Sequence, residues 1–132
     1  MVIADTSVWI SYQRDPGSPA GQELDALLAT REVVMVGPVL AEILQGSRSD
    51  EEFDFLAENL DALEFVDADK DTWVRVGKMG TALRRAGAAL ALADLIIASL
   101  AMQHGLPLFT LDQDFRRIPG LQMYPTEPLD SA

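Results

Sequence analysis

Short apolar segments alternate with longer stretches of helical spacing along this chain. Residues 1–4 and 33–36 are apolar runs closed by polar or turn residues, a pattern typical of strands that are buried on both faces. Residues 64–66, 106–110 and 121–124 show the same pattern more weakly. The pattern therefore predicts four or five strands.

The stretches between these strands have apolar residues at the spacing of amphipathic helices. Helices are predicted at about residues 19–32, 39–46, 49–63, 71–86 and 92–104. Ser18 is expected to cap the first helix, with Pro19 at the favoured first position. Ser49 and Glu52 have the spacing of a capping box. Residues 14–18 are predicted as a loop, and no helix is assigned before them.

Strands that alternate with helices over this length predict an α/β domain of three layers, with a central, mainly parallel sheet flanked by helices. The 132 residues suffice for one core, so residues 1–132 are predicted to form one domain with a loose tail from about residue 125. Trp9 and Trp73 are expected in the core. No apolar run approaches the roughly 20 residues that span a bilayer. The N-terminus lacks a basic leader, so a cytoplasmic protein without a membrane segment is predicted.

Four carboxylates lie where the apolar pattern gives no reason for a charge. Asp5 directly follows the first strand, and Asp112 comes shortly after the fourth. Glu42 and Asp94 interrupt the apolar stretches of two predicted helices. A carboxylate on an apolar face is costly unless it is paired or binds a cation. Because few basic residues lie near these acids in sequence, a shared metal ion is the simplest explanation.

The predicted fold allows these acids to meet. The carboxyl ends of parallel strands lie at one edge of a sheet, where ligands bind. Oxygen ligands without a soft donor suit Mg²⁺ or Mn²⁺ rather than zinc or copper. Such an ion can polarise a phosphodiester and produce hydroxide at neutral pH, which favours hydrolysis of nucleic acid. Thr6, Ser7 and Thr110 are candidates for orienting the carboxylates by hydrogen bonds.

Each acid also has a purely structural explanation. Asp5 can be a turn acid at a strand end, and Asp94 can interact with the positive end of a helix dipole. Glu42 can belong to a solvated helix stripe. Asp112 and Asp114 can be ordinary loop acids. Their joint placement at strand ends favours the metal site over these alternatives.

Composition narrows the chemistry further. The chain has no cysteine, which excludes disulfides, thiolate catalysis and zinc ribbons. Its one histidine, His104, is predicted to lie at a helix end. The net charge of −11 counts against tight, sequence-independent binding of a polyanion. Ten acids lie in residues 50–71, and a basic segment follows that is expected to be a solvated helix face, with contact to RNA as the alternative. Its basic residues are Arg75, Lys78, Arg84 and Arg85.

Four segments of the chain resemble the motifs of the PIN-domain nucleases, most closely the VapC-type toxins of prokaryotic toxin–antitoxin pairs. They are residues 2–10 (VIADTSVWI), 41–46 (AEILQG), 92–98 (LADLIIA) and 108–115 (LFTLDQDF). The segments occur in the family's order and near its spacing, and the resemblance covers essentially the whole chain. Together the four motifs are specific, although any one alone is not.

The resemblance implies a Mg²⁺- or Mn²⁺-dependent endoribonuclease, the toxin of a type II toxin–antitoxin system. The residues that match the family's acidic quartet are Asp5, Glu42, Asp94 and Asp112. Thr110 matches a supporting position, and Asp114 matches a frequent but peripheral acid. The expected partners are an RNA substrate and a VapB-like antitoxin that inserts an Arg or Lys side chain into the acidic site. A homodimer is also expected.

Other classes fit the sequence less well. A receiver-like signalling domain needs a lysine after a late strand, but the only lysines are Lys70 and Lys78. A phosphatase of the Asp-x-Asp type needs that pair on its first strand, whereas Asp112 and Asp114 are late. A glycine-rich phosphate loop is absent from the sequence. The alternative that stays open is a catalytically inactive PIN-like scaffold or protein-interaction domain.

Overall fold

The sheet is built from five parallel strands. The computed structural model describes residues 1–125. Its strands are β1 (Val2–Ala4), β2 (Val33–Val36), β3 (Glu64–Val66), β4 (Leu108–Phe109) and β5 (Met123–Tyr124). They are ordered β3-β2-β1-β4-β5, and every pairing between neighbours is parallel. Ile3 of β1 pairs with Val34 on one side and with Leu108 on the other, so β1 is the central strand.

Six helices of the described residues flank this sheet. They are α1 (Thr6–Arg14), α2 (Pro19–Ala29), α3 (Gly37–Gln45), α4 (Asp50–Asp61), α5 (Lys70–Arg85) and α6 (Leu92–Gln103). A 3₁₀ helix follows β4 at Gln113–Arg117. The closest helix pairs are α1 with α2 and α5 with α6. The predicted α/β architecture with a parallel sheet is confirmed.

The core forms around the two central strands. Every residue of β1 and β2 is buried, which explains why both are apolar runs without alternation. Leu24 of α2, Val39 of α3 and Ile97 of α6 are buried in the same cluster. Within residues 1–125, no helix has both the length and the apolar character that a membrane crossing requires.

Helix α1 was not predicted from the sequence. It begins directly after Asp5, whose side chain accepts a hydrogen bond from the backbone N–H of Val8 and caps the helix. Val8 and Trp9 are buried, as expected for Trp9. The cap and the spacing of Val8, Trp9 and Tyr12 were the available signals. They were weak because the helix has only nine residues and two of its first three are hydroxyl residues that also favour turns.

Several element ends differ from the predictions. Helix α2 ends at Ala29 rather than near residue 32, because the hydroxyl of Thr30 bonds to the carbonyl of Ala26 and Arg31 adopts a φ of 56°. Strands β4 and β5 have only two residues each. The predicted loose tail lies almost wholly at residues 126–132, outside the described residues.

The prediction of a capping box at Ser49 was wrong in part. Ser49 accepts from the backbone N–H of Glu52, but the Glu52 carboxylate accepts from Arg48 at 3.4 Å rather than from Ser49. The complete capping box lies at the start of α5, between Asp69 and Thr72. Ser49 and Glu52 have the same spacing as Asp69 and Thr72, so the spacing alone did not show which pair forms the complete box.

Trp73 was predicted in the core but is 52% exposed. Helix α5 packs against α6 and buries Thr72, Val76 and Leu83, which define its inner face. Trp73 follows Thr72 by one residue and is therefore rotated by about 100° from that face. The helix runs without interruption through Gly77 and Gly80, as predicted for one helix over about residues 71–86.

We expect Gly21→Ala to destabilise the protein by about 1–3 kcal/mol. A Cβ atom at residue 21 would lie 2.8 Å from the carbonyl oxygen of Asp15 and 2.9 Å from that of Pro16. Both contacts are with backbone, so the neighbours cannot move aside without shifting the loop between α1 and α2. Urea denaturation of purified protein measures the change in unfolding free energy.

Gly77→Ala is the matched control, because a Cβ atom there would meet no other atom within 4 Å. This variant should be stabilised by about 0.5–1 kcal/mol through helix propensity. If both variants shift stability in the same direction, steric contact at Gly21 is not the dominant effect.

Candidate functional site

Three of the four predicted acids follow the carboxyl ends of neighbouring strands. The order of strands reverses at β1, because the chain proceeds from β1 to β2 and β3 on one side and from β4 to β5 on the other. Such a reversal opens a crevice at the carboxyl edge of the sheet. Asp5 follows β1, Asp112 follows β4, and Glu42 lies in α3, which begins directly after β2.

Asp5 is the most enclosed of these acids, with only 5% of its surface exposed. The hydroxyl of Ser7 donates to its Oδ1 at 2.5 Å, and the hydroxyl of Thr110 donates to its Oδ2 at 2.6 Å. Burial removes water from the carboxylate and raises the pKa of Asp5. The hydrogen bonds oppose this rise because they favour the ionised form. Asp5 is therefore a buried acid with both oxygens held in position.

Ser7 and Thr110 also position the loop that contains Asp112. Oγ of Ser7 accepts from the backbone N–H of Leu111 at 3.0 Å. Oγ1 of Thr110 accepts from the backbone N–H of Asp112 at 3.0 Å. Asp112 in turn caps the 3₁₀ helix by accepting from the backbone N–H of Asp114 at 2.9 Å. Two hydroxyls thus connect the end of β1 to the end of β4.

Glu42 and Asp94 reach the crevice from helices. Glu42 is half-buried in α3, and Asp94 is half-buried in the first turn of α6. No side chain caps the start of α6, whose first residue follows Ala91. Free backbone N–H groups at a helix start favour a negative charge, which partly offsets the burial of Asp94.

Electrostatic interactions show that the acids share one environment. The pKa of Asp94 is raised, first by burial and then by repulsion from other carboxylates. The carboxylates that contribute, in decreasing order, are Asp112, Asp5, Glu42 and Asp114. Coulomb interactions weaken with distance and with solvent screening. The fold therefore brings the four predicted acids, together with Asp114, around one crevice.

The acids are candidate metal ligands, but they are not yet arranged as a complete coordination site. Among residues 1–125, no three acidic or histidine side chains are grouped tightly enough to form a ready-made metal site. The donors that meet at the crevice are all carboxylate oxygens, which fit Mg²⁺ or Mn²⁺. Closing them on an ion requires side-chain rotation, which is open to Glu42 and Asp94 but not to the doubly hydrogen-bonded Asp5.

The remaining candidate residues differ in how they relate to the acids. The hydroxyl of Thr6 is buried without a hydrogen-bond partner in the described part of the chain, so it orients none of the carboxylates. Asp114 forms an ion pair with Arg117 at 3.5 Å. His104 caps the C-terminal end of α6, at the opposite end of the helix from Asp94. The histidine therefore lies at a helix end, as predicted.

Sequence reasoning missed two arginines near the acids. Arg14 and Arg48 line a crevice that also contains Glu42. They are distant in sequence and lie outside the basic segment that begins at Arg75. Only the packing of α1, α3 and α4 brings them together, so no spacing in the sequence signals the pair.

Comparisons with known proteins agree with the fold. A family model described as the PIN domain matches residues 2–121. The chain is 33% identical over 129 residues to Ribonuclease VapC11 of Mycobacterium tuberculosis, covering 92% of this chain and 96% of that protein. It is 30% identical over 128 residues to Ribonuclease VapC5 of the same organism, covering 89% and 87%.

Among solved structures, the chain resembles the crystal structure of VapBC2 from Rickettsia felis bound to a DNA fragment from its promoter. The TM-score is 0.77 at 26% identity, with 93% of this chain and 97% of that chain covered.

We expect Asp94→Asn to raise the melting temperature when divalent ions are removed, by about 4 °C for each kcal/mol gained. The folded-state pKa of Asp94 lies above its ordinary value of 3.8, so the folded protein binds more protons than the unfolded chain between these two values. Wild-type stability therefore falls as pH rises through this window. The gain from the amide should be largest at neutral pH and should vanish near pH 3.8.

Differential scanning calorimetry in EDTA across this pH range measures the effect. Asp54→Asn is the matched control, because it removes the same charge from an exposed position on α4. A gain at Asp94 no larger than the gain at Asp54 would show that the acids do not repel one another in the folded protein.

Proposed function

The chain belongs to the PIN domain family, and we propose that it is a Mg²⁺- or Mn²⁺-dependent endoribonuclease, the toxin of a type II toxin–antitoxin pair. Relatives named VapC ribonucleases, matched over nearly the whole chain, support the class of reaction. The likeness to a VapBC complex supports the pairing with an antitoxin. The alternative of an inactive scaffold is left to the cleavage experiment below.

The observation that supports catalysis most directly is the electrostatic coupling of Asp94 to the other acids. Burial and the repulsion from Asp112, Asp5 and Glu42 make this group of carboxylates unfavourable without a counter-charge. A purely structural protein gains nothing from such an arrangement, whereas a divalent cation would relieve the repulsion. Perturbed acids in a crevice at a strand-order reversal are typical of functional sites.

The proposed ligands of the ion are Asp5, Glu42, Asp94 and Asp112. These residues would hold a divalent ion whose chemistry would be to polarise the phosphodiester and to lower the pKa of a water molecule toward neutral pH. The hydrogen bonds from Ser7 and Thr110 favour the ionised form of Asp5 against the effect of its burial, and they hold both of its oxygens in position. Thr110 also positions the backbone of Asp112. In hydrolysis, the water oxygen bonds to phosphorus while the bond from phosphorus to the leaving ribose oxygen breaks, and the proton lost by the water is balanced by the proton gained by the leaving oxygen.

The antitoxin is proposed to dock in the apolar groove between α1, α2 and α4. This groove is lined by Trp9, Tyr12, Gln13, Leu28, Phe55, Leu56, Asn59, Leu60 and Leu63. Its lining has no charged side chain, which suits the apolar face of a partner helix. Phe55 and Leu56 also line the crevice that contains Glu42, so a partner in the groove can extend an Arg or Lys toward the acids. A homodimer stays a prediction.

We expect Asp5→Asn and Asp94→Asn each to lower metal-dependent RNA cleavage by about a hundredfold or more, because a ligand charge is lost. Purified protein is incubated with a defined RNA set in Mg²⁺, Mn²⁺ or EDTA, and the products are resolved by gel electrophoresis. Asn retains the shape of Asp and its capacity to cap a helix, so Asp94→Asn should keep the fold. In Asp5→Asn the amide nitrogen replaces one of the two acceptor oxygens, so circular dichroism is used to check the fold of that variant.

Asp54→Asn again serves as the exposed control and should cleave at the wild-type rate. Mg²⁺ should also raise the melting temperature of the wild type more than a monovalent salt of equal ionic strength does. Cleavage that survives EDTA, or near-normal activity of the Asp94 variant, would contradict the proposed site.

The groove predicts a second outcome. Asn59→Arg puts a charge in the apolar lining and should weaken antitoxin binding by about tenfold or more, because the charge loses water in the complex. RNA cleavage by the free toxin should not change. Co-expression with the adjacent open reading frame, pull-down and calorimetric titration measure the affinity.

Gln122→Arg is the control for this experiment, since it makes the same charge change at an exposed position outside the groove. Equal loss of affinity in both variants would indicate general electrostatics rather than docking in the groove.

A further inference from the structure

A crevice of about 520 Å³ lies between α1, α3 and α4 and shares Glu42 with the acidic site. Arg14, the last residue of α1, and Arg48, which follows α3, lie on its lining. Thr6 and Ile10 line it from α1. The crevice is therefore continuous with the proposed active site and contains two cations in a chain whose net charge is −11.

The two arginines are available to a ligand. Within residues 1–125 the ion pairs are Arg75 with Asp71 and Arg117 with Asp114, so neither arginine of the crevice is paired. Both are exposed. Glu42 and Glu52 also line the crevice, but within residues 1–125 neither forms an ion pair with Arg14 or Arg48. An anion can therefore take up the fork of donors that each guanidinium offers.

Two large apolar side chains that line the same crevice are exposed to solvent. Phe55 is 66% exposed and Ile10 is 39% exposed. An exposed aromatic ring beside unpaired arginines suits a ligand that alternates flat rings with negative charges. Single-stranded RNA has this chemistry, because its bases stack on aromatic side chains and its phosphates bind guanidinium groups.

We propose that this crevice grips the RNA strand on the Glu42 side of the acidic site. Arg14 and Arg48 bind successive backbone phosphates, and Phe55 stacks on a base. This inference rests on the proposed ribonuclease function and adds a substrate-binding site to it. A net charge of −11 opposes the binding of RNA, which is a polyanion. Two cations in the crevice would allow RNA to bind next to the proposed catalytic acids in spite of this charge.

The basic segment of residues 75–85 fits an RNA-binding role less well. Arg75, Lys78 and Arg117 border a pocket of about 440 Å³ between α5, α6 and the 3₁₀ helix. Two of these three cations are already paired with acids. None of the four proposed catalytic acids lines that pocket. It therefore lacks the continuity with the acidic site that the crevice at Glu42 has.

The proposal also implies that RNA and the antitoxin compete for the same surface. Phe55 and Leu56 line both the apolar groove and the crevice. An antitoxin that covers these side chains would block the RNA-binding site as well as the acidic ligands. Bound RNA and bound antitoxin would therefore exclude one another.

The test measures binding separately from cleavage. In an Asp94→Asn background, which keeps RNA intact, Arg14→Gln and Arg48→Gln are each expected to raise the dissociation constant for a short mixed-sequence single-stranded RNA about tenfold. Each should also make the slope of log affinity against log salt shallower by about 0.7. Phe55→Ala should weaken binding about tenfold without changing this slope. In the active enzyme, all three variants should raise KM while leaving kcat close to wild type.

Matched controls separate the crevice from general effects. Arg75→Gln removes the same charge from α5, and Phe53→Ala removes an exposed ring from the same helix as Phe55 but outside the crevice. Both controls should bind RNA as their parent does. Equal loss in a variant and its control, or unchanged KM in the arginine variants, would overturn the proposal.

The outcomes also distinguish the two levels of inference. RNA that binds through Arg14 and Arg48 but is never cleaved would overturn the ribonuclease function and leave the binding site standing. RNA that the variants cleave with the wild-type KM would overturn the binding site and leave the ribonuclease function standing. Arginine variants that lose antitoxin affinity while binding RNA normally would assign the crevice to the protein partner and reject the RNA site.

Discussion

The hydrogen bonds to the buried carboxylate of Asp5 hold the functional end of the molecule together. Asp5 ends the central strand, caps α1 and accepts from the hydroxyls of Ser7 and Thr110. The same hydroxyls accept from backbone N–H groups of the loop after β4. Loss of this network would free α1, the end of β1 and the loop of Asp112 at once. The ends of two strands are thus fixed by one acid and two hydroxyls.

Repulsion among the acids lowers the stability of the folded protein. The pKa of Asp94 is raised first by its burial and then by repulsion from Asp112, Asp5 and Glu42. Stability at neutral pH would be greater without this cluster, since each raised pKa represents an ionised form that the folded state disfavours. Proteins keep such groups at sites where a ligand compensates the charge. The acidic crevice is therefore understood more readily as a site for a cation than as part of the scaffold.

Net charge alone is a poor guide to the partners of this protein. Exposed acids such as those of α4 dominate the total of −11. Screening at physiological salt limits their influence to about 8 Å, so a local pair of arginines can still attract a phosphate. The adjoining apolar groove has no charged lining, which separates the surface for a helix from the surface for a polyanion. These surfaces meet at Phe55, where the proposed regulation and the proposed substrate binding would coincide.

The sequence by itself determined the alternation of strands and helices and the parallel sheet, and it marked the four acids as candidates. Those features depend on local patterns, because burial on both faces of a strand and interruption of an apolar run by an acid are visible residue by residue. Three features were decided by packing: the nine-residue helix α1, the exposed face that contains Trp73 and the complete capping box at Asp69. So was the meeting of Arg14, Arg48 and Glu42, since residues distant in the chain become neighbours only when three helices pack together. Local spacing determines which elements form, whereas tertiary contacts determine which side chains they bring to one crevice.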